Sequence, residues 1–167
     1  MRGYDVRAVA NIFLEEARRL GVGISNLHLN KAIYFMHVDT LRDKGAPLVS
    51  AKIEAWEHGP VFREIYNQFK VFKRAPIERN AQKVDFDTGL LIDADFDFPA
   101  STEDWIRQLC RFYAMVPAHV LYDVSHAKGG AWDHVYNKSG AFNVGMEITE
   151  DLIRQLEIPK GQRITLQ

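Results

Sequence analysis

Cysteine is nearly absent. The 167 residues hold one, Cys110, so no internal disulfide can form and a reducing cytoplasm is the expected compartment. No apolar run approaches the roughly 20 residues that a membrane helix needs. The opening MRGYDVRAVANIFLEEARRLG is interrupted by Arg7, Glu15, Glu16, Arg18 and Arg19, which leaves no signal-peptide core. An excess of either charge is lacking too. With 21 Lys and Arg against 22 Asp and Glu the formal net charge is −1, so no overall positive field recruits nucleic acid or an anionic membrane. Several catalytic signatures are missing: a phosphate-cradling glycine loop, G-x-S-x-G, H-E-x-x-H and any cysteine ligand pair. What remains is globular. Hydrophobic residues make up 47% and charged residues 26%, in a length suited to one domain with a substantial core.

Charge is uneven locally. Between Val84 and Ile106 stand Asp85, Asp87, Asp93, Asp95, Asp97, Glu103 and Asp104 with no Lys or Arg, while Arg63, Lys70, Lys73, Arg74, Arg79 and Lys83 dominate the stretch before. Two solvated surfaces account for this, and so does a charge-complementary face for a protein partner.

The richest stretch is IEAWEHGPVFREIYNQF, residues 53–69. Gly59 supplies backbone freedom for a turn, and Pro60 has φ preset for a first helical position, so a helix is expected to begin at Pro60. Phe62, Ile65, Tyr66, Phe69 and Phe72 recur at steps of three and four and make its apolar stripe, with Trp56 leading in. His58 lies beside the turn, but it has only Glu57 and Glu64 as neighbours and no nucleophile to serve.

Elsewhere the pattern is helical. Asp5 is placed to cap a first helix buried through Val6, Val9, Ala10, Phe13, Ala17 and Leu20, with Gly21 as its stop. Ser25 is placed to cap a second, with Leu27, Ile33, Tyr34, His37 and Leu41 as its stripe and Gly45 as its end. VDFD and LLIDADFDF predict a hairpin around Thr88 and Gly89. Ser101 opens the next helix, Pro117 another, and Thr149 caps the last between Ile148 and Ile153, a hydrophobic staple that Pro159 closes off. The expected fold is mainly α: a compact single-domain bundle of about six to seven helices with at most a short β-hairpin or extended segments. Residues 1–167 form the one domain, with a core over about 6–157 and a loose tail over 158–167.

Three blocks resemble one family. SNLHLNKAIYFMHVDTL is similar to the L-x-L-x-K-x-x-Y-x-x-H helix of the Panacea, or SocA-like, antitoxin domain through Lys31 and Tyr34. IEAWEHGPVFREIY resembles its E-A-W-x-x-G-P-V-x-x-x-x-Y block through Glu54, Ala55, Trp56, Gly59, Pro60, Val61 and Tyr66. VLYDVSHAKGGAWDHVY resembles its L-x-x-x-S/T-H-x-x-x-P-W segment through Leu121, Ser125, His126 and Trp132. Ala131, preceded by Gly129 and Gly130, stands where the family commonly has Pro, and a looser turn is expected there. The resemblance implies a mainly helical bacterial or phage-borne protein without a catalytic site or cofactor. Its partner would be a cognate protein toxin, usually encoded beside it, which it neutralises by binding or delivers to a protease.

Residue by residue, Trp56, Pro60 and Tyr66 are expected to be architectural. Lys31 interrupts an apolar helix and must reach water, an acid or a carbonyl. His37 suits a hydrogen-bonded core position, and Cys110, with no neighbouring His, suits packing. Two rival functions have a pattern in the residues. His119, Asp123 and His126, spaced by four and three on one side of a helix, have the types and spacing for a zinc-dependent hydrolase, although a solvated polar face has them too. Ala17, Gly21 and Leu27 have helix-turn-helix spacing, but LHLNKAIYFMH is too apolar for a recognition helix, so nucleic acid is not the expected partner.

Overall fold

The computed structural model describes residues 3–138, 146–159 and 163–165. Asp5 caps α1 (Val6–Arg19) by accepting the Arg7 backbone N–H at 2.9 Å. The helix buries Val6, Val9, Ala10, Phe13 and Ala17 as expected, whereas Leu20 lies beyond its last turn and is exposed. Ser25 caps α2 (Asn26–Lys44) through the His28 N–H, and Gly45, at φ 69°, ends it. This second helix is the axis of the molecule. Buried on nearly every side except Leu27 and the last turn, it packs against α1, four of the later helices and the first hairpin. The expected stripe is buried except at Leu27, and most of the residues between its members are buried too, so the stripe does not mark off a solvent face.

The Pro60 expectation fails here. Ile53–Trp56 (β1) pairs antiparallel with Gly59–Phe62 (β2), in register Ile53 to Phe62 and Trp56 to Gly59, so Pro60 sits in a strand and α3 begins three residues later (Arg63–Phe69). A proline is tolerated because the hairpin is only two strands wide and Pro60 has no N–H to place. The local signal for a helix start lost to strand pairing, in which Pro60 lies opposite Ala55, five positions upstream. Residues 146–148 cover the other side of β1, with Ala55 N–H donating to the Met146 carbonyl and Ile148 N–H to that of Ile53.

After a 3-10 turn at Lys70–Phe72, the expected second hairpin forms between β3 (Gln82–Val84) and β4 (Leu91–Asp93). α4 runs Ala100–Met115, one residue ahead of Ser101, with Pro99 in the cap position and no side-chain cap. It packs on α1, where the buried Glu16 carboxylate accepts from Arg107 at 2.6 Å and Arg111 at 3.2 Å. α5 (Ala118–Ser125) follows Pro117. α6 (Ala131–Asp133) continues into a single π turn at His134–Lys138, and α7 (Glu150–Leu156) is capped by Thr149, with Ile148 and Ile153 both buried beside it. α7 ends at Leu156, before Pro159 is reached. Among the described residues there are seven α-helices and two small antiparallel sheets, a mainly α fold. One continuous apolar cluster runs from Val6 to Ile153, and Ile158 and Ile164, in the segment expected to be loose, also pack against it. No helix among the described residues is long and apolar enough to cross a membrane.

Candidate functional site

The three motif blocks meet at one junction. Lys31, in the middle of α2, is 1% exposed and donates its ammonium to the Pro60 carbonyl at 2.9 Å, the carbonyl solution that its helical context predicts. Burial brings its pKa down to about 7. Gly59 must be glycine for two reasons. Its φ is 101°, and a Cβ there would lie 2.7 Å from Lys31 Cε and 3.0 Å from His126 Cε1. The turn thus presses its bare backbone between side chains from α2 and from the end of α5.

Polar side chains tie the hairpin down. Asn30 Oδ1 accepts the Phe62 N–H at 2.9 Å, while its amide donates to Asn26, whose own amide donates to the Tyr66 carbonyl at 3.1 Å. Glu54, nearly fully buried, accepts from Trp56 Nε1 at 2.8 Å and from Arg63 at 3.1 and 2.7 Å. Burial alone would raise its pKa, but the Arg63 and Trp56 hydrogen bonds outweigh that and hold the carboxyl below its ordinary value.

The third block closes the other side. His126 stacks on Tyr122 at 4.0 Å and tilts against Trp132 at 4.1 Å, and its Nδ1 lies 2.7 Å from the Tyr122 carbonyl. A carbonyl only accepts, so Nδ1 carries the proton. Ser125 Oγ donates to the same carbonyl at 2.8 Å. Trp132 Nε1 donates to the Trp56 carbonyl at 2.8 Å, joining α6 to the hairpin. The turn expected to be loose is pinned: Gly129 N–H donates to Asp133, and Ala131 N–H donates to Glu157 at 2.8 Å. Glu157 also accepts from the hydroxyl of fully buried Tyr34 at 3.1 Å. Burial, then the Glu157 charge, pushes that phenol well above its usual pKa.

Beside the junction opens a cleft of about 450 Å³ walled by Lys31, Trp56, Val61, Tyr66, Lys70 and Arg74. Trp56 and Tyr66 meet edge to face at 4.8 Å on its wall. Both were expected inside, yet Tyr66 is 38% exposed and Trp56 half-buried, because the stripe of α3 turns inward through Ile65 and Phe69. Val61 is buried at the cleft edge.

The hydrolase constellation does not converge. His119 and Asp123 are exposed, while His126 is turned into the Tyr122 and Trp132 rings. Among the described residues no group of three His, Cys, Asp or Glu side chains is arranged to hold a metal. α2 is buried along most of its length, so it cannot enter a DNA groove. Cys110 is fully buried, and burial pushes its thiol up, as in a packed core position. His58 is exposed at the turn, where its only ring neighbour among the described residues is Tyr122.

Sequence reasoning missed Asn30 and Glu157, the residues that fasten the junction from α2 and from the end of α7. An amide is an unfavourable residue inside a helix, and Asn30 within an apolar run was the available signal. Glu157 gave none, because its partners lie far away in the chain.

The fold and the junction define a class: a mainly helical domain whose shared motif residues converge on one clamped hairpin. The family described as antitoxin SocA-like, Panacea domain, matches residues 29–133. The chain is 35% identical over 172 residues to the protein named antitoxin SocA from Caulobacter vibrioides (strain NA1000 / CB15N), covering 98% of this chain and 92% of that protein. This chain belongs to the SocA-like, Panacea-domain antitoxin family. No solved structure matches it.

Proposed function

We propose that this chain neutralises a cognate protein toxin, encoded next to it, by binding it directly. The observation that carries the reading is the likeness to antitoxin SocA along nearly the full length of both chains. The geometry is consistent with it. Lys31, Gly59, Pro60, Ser125, His126 and Trp132 are engaged with one another or with nearby backbone, which suits a scaffold that presents surfaces. Tyr34 belongs to the same scaffold, while Trp56, Val61 and Tyr66 line its open cleft. Binding alone needs no cofactor and no catalytic group.

Expression of the neighbouring open reading frame should arrest growth, and co-expression of this chain should restore it. The two polypeptides should co-purify without added metal or nucleotide. Rescue that depends on turnover of a small molecule would sink the reading. Neutralisation by blocking leaves the toxin's half-life unchanged, whereas delivery to a protease shortens it, so a pulse-chase of the toxin with and without this chain separates the two modes.

A further inference from the structure

The β3–β4 hairpin has a fastened root and a bare tip. At the root Ala81 and Ala94 are buried, and Asn11 of α1 grips both: its amide donates to the two carbonyls at 2.9 and 2.7 Å, and its Oδ1 accepts the Ala81 N–H at 2.7 Å. Gln68 of α3 adds a second grip, accepting from Gln82 N–H and donating to its carbonyl. The turn is well formed, with Asp85 N–H donating to the Leu90 carbonyl and Thr88 Oγ1 to the Asp85 carboxylate.

Beyond that root the side chains run against expectation for a free surface. Phe86 is 98% exposed, Leu90 65% and Leu91 64%, and Val84, paired across from Leu91, is half-exposed. Phe96, just after β4, is also half-exposed but is steadied by an edge contact with Tyr4 at 5.1 Å and a tilted one with Phe98 at 5.0 Å. An isolated two-stranded hairpin is marginal in water, and contiguous apolar exposure on one invites association. This one is held rigid by polar grips at its base, which means its apolar residues are not needed for its own shape.

Charge selects the occupant. Asp85, Asp87, Asp93, Asp95 and Asp97 surround the apolar residues, and the only cation in 82–98, Lys83, is tied to Asp95 at 2.8 Å. Asp87 and Asp97 are exposed and form no ion pair among the described residues. A second copy of this chain would bring two such acidic sets together, an unfavourable meeting.

We infer that the Gln82–Asp93 hairpin, with the segment to Phe98, is the docking surface for the toxin, and that it takes a toxin face with an apolar centre rimmed by Lys and Arg. This rests on the reading of the chain as a toxin-binding antitoxin. The rigid hairpin offers Phe86 and Leu91 as anchors at little ordering cost, and the carboxylates steer a basic partner and reject an acidic one.

The test uses the full chain and the purified polypeptide from the adjoining open reading frame, by titration calorimetry and growth rescue. Wild-type protein should bind and rescue, with affinity falling as salt rises. Phe86→Ser with Leu91→Ser should weaken binding by about a hundredfold and abolish rescue, with an unchanged melting temperature because both side chains are already in water. Asp87→Lys with Asp97→Lys should weaken it by about tenfold and flatten the salt dependence. If wild type binds and both double variants bind equally well, the docking surface lies elsewhere and the antitoxin reading stands. If wild type neither binds nor rescues, the antitoxin reading fails and this inference with it. A dimer of the isolated chain that dissociates in the Phe86→Ser, Leu91→Ser variant would overturn the inference in favour of a second copy.

Discussion

Gly59 shows how much a single residue can be asked to do. Its positive φ and the close approach of Lys31 and His126 leave no room for a methyl group. Gly59→Ala should therefore cost about 2 kcal/mol or more in urea denaturation, from backbone strain and from displacing packed neighbours. Lys31 itself makes stability depend on pH. Its pKa is about 7 in the fold against an ordinary 10.5, so between those values the unfolded chain holds a proton that the folded chain has given up. Stability from this group is fully present above the upper value and is lost as pH falls toward 7. Denaturation at pH 7, 8 and 9 should show that rise, and Lys31→Met should flatten it. His37 acts in a lower window. Its Nδ1 accepts the Val49 N–H at 3.4 Å, which leaves the proton on Nε2, a buried atom with no partner among the described residues. Burial first, then the Arg154 charge, lowers its pKa to about 4. Stability falls as pH drops from 6.5 toward 4, and His37→Phe should shrink the difference between melting temperatures at pH 7.5 and 4.5.

At the scale of elements, the second hairpin tests whether grips rather than apolar packing hold a strand pair. Asn11→Ala removes three hydrogen bonds to Ala81 and Ala94 at once and strands buried backbone groups. It should cost about 1–3 kcal/mol, and amide exchange across 82–93 should accelerate while α2 stays protected. Local determinants were readable in the sequence. Asp5, Ser25, Gly45 and Thr149 were each read correctly because a cap or stop depends on neighbours three or four residues away. The hairpin around Thr88 and Gly89 was legible for the same reason. Pro60 was misread because a proline after glycine looks the same before a helix and in an edge strand until its partner, here Ala55, is known. The junction was legible only as a set of motif residues. What joins Lys31 to Pro60, or Trp132 to Trp56, is contact between segments 29 and 76 residues apart, which no local pattern encodes. The half-exposed Tyr66 was missed for a related reason: spacing placed it on the stripe, and only the direction in which α3 leaves β2 turned it outward.

For the whole molecule, the acidic side of the pH profile adds several groups of one sign. Glu16 and Glu54 are held below their ordinary pKa, because hydrogen bonds from Arg107 and Arg111 and from Arg63 and Trp56 outweigh the burial that would raise them. Their contribution to stability is fully present above the ordinary carboxylate value and is lost as pH falls through the lowered ones. The latch formed by Glu157 sets the order in which the junction can close. The hydroxyl of Tyr34, fully enclosed in the finished protein, has its acceptor 123 residues later, and the Lys31 seat waits for His126. A nascent chain stalled anywhere before Glu157 holds an unanswered phenol beneath an open side of its main helix. Closure of the junction is therefore a long-range step of folding, completed only when the segment that carries Glu157 docks on α2 and on the turn before α6.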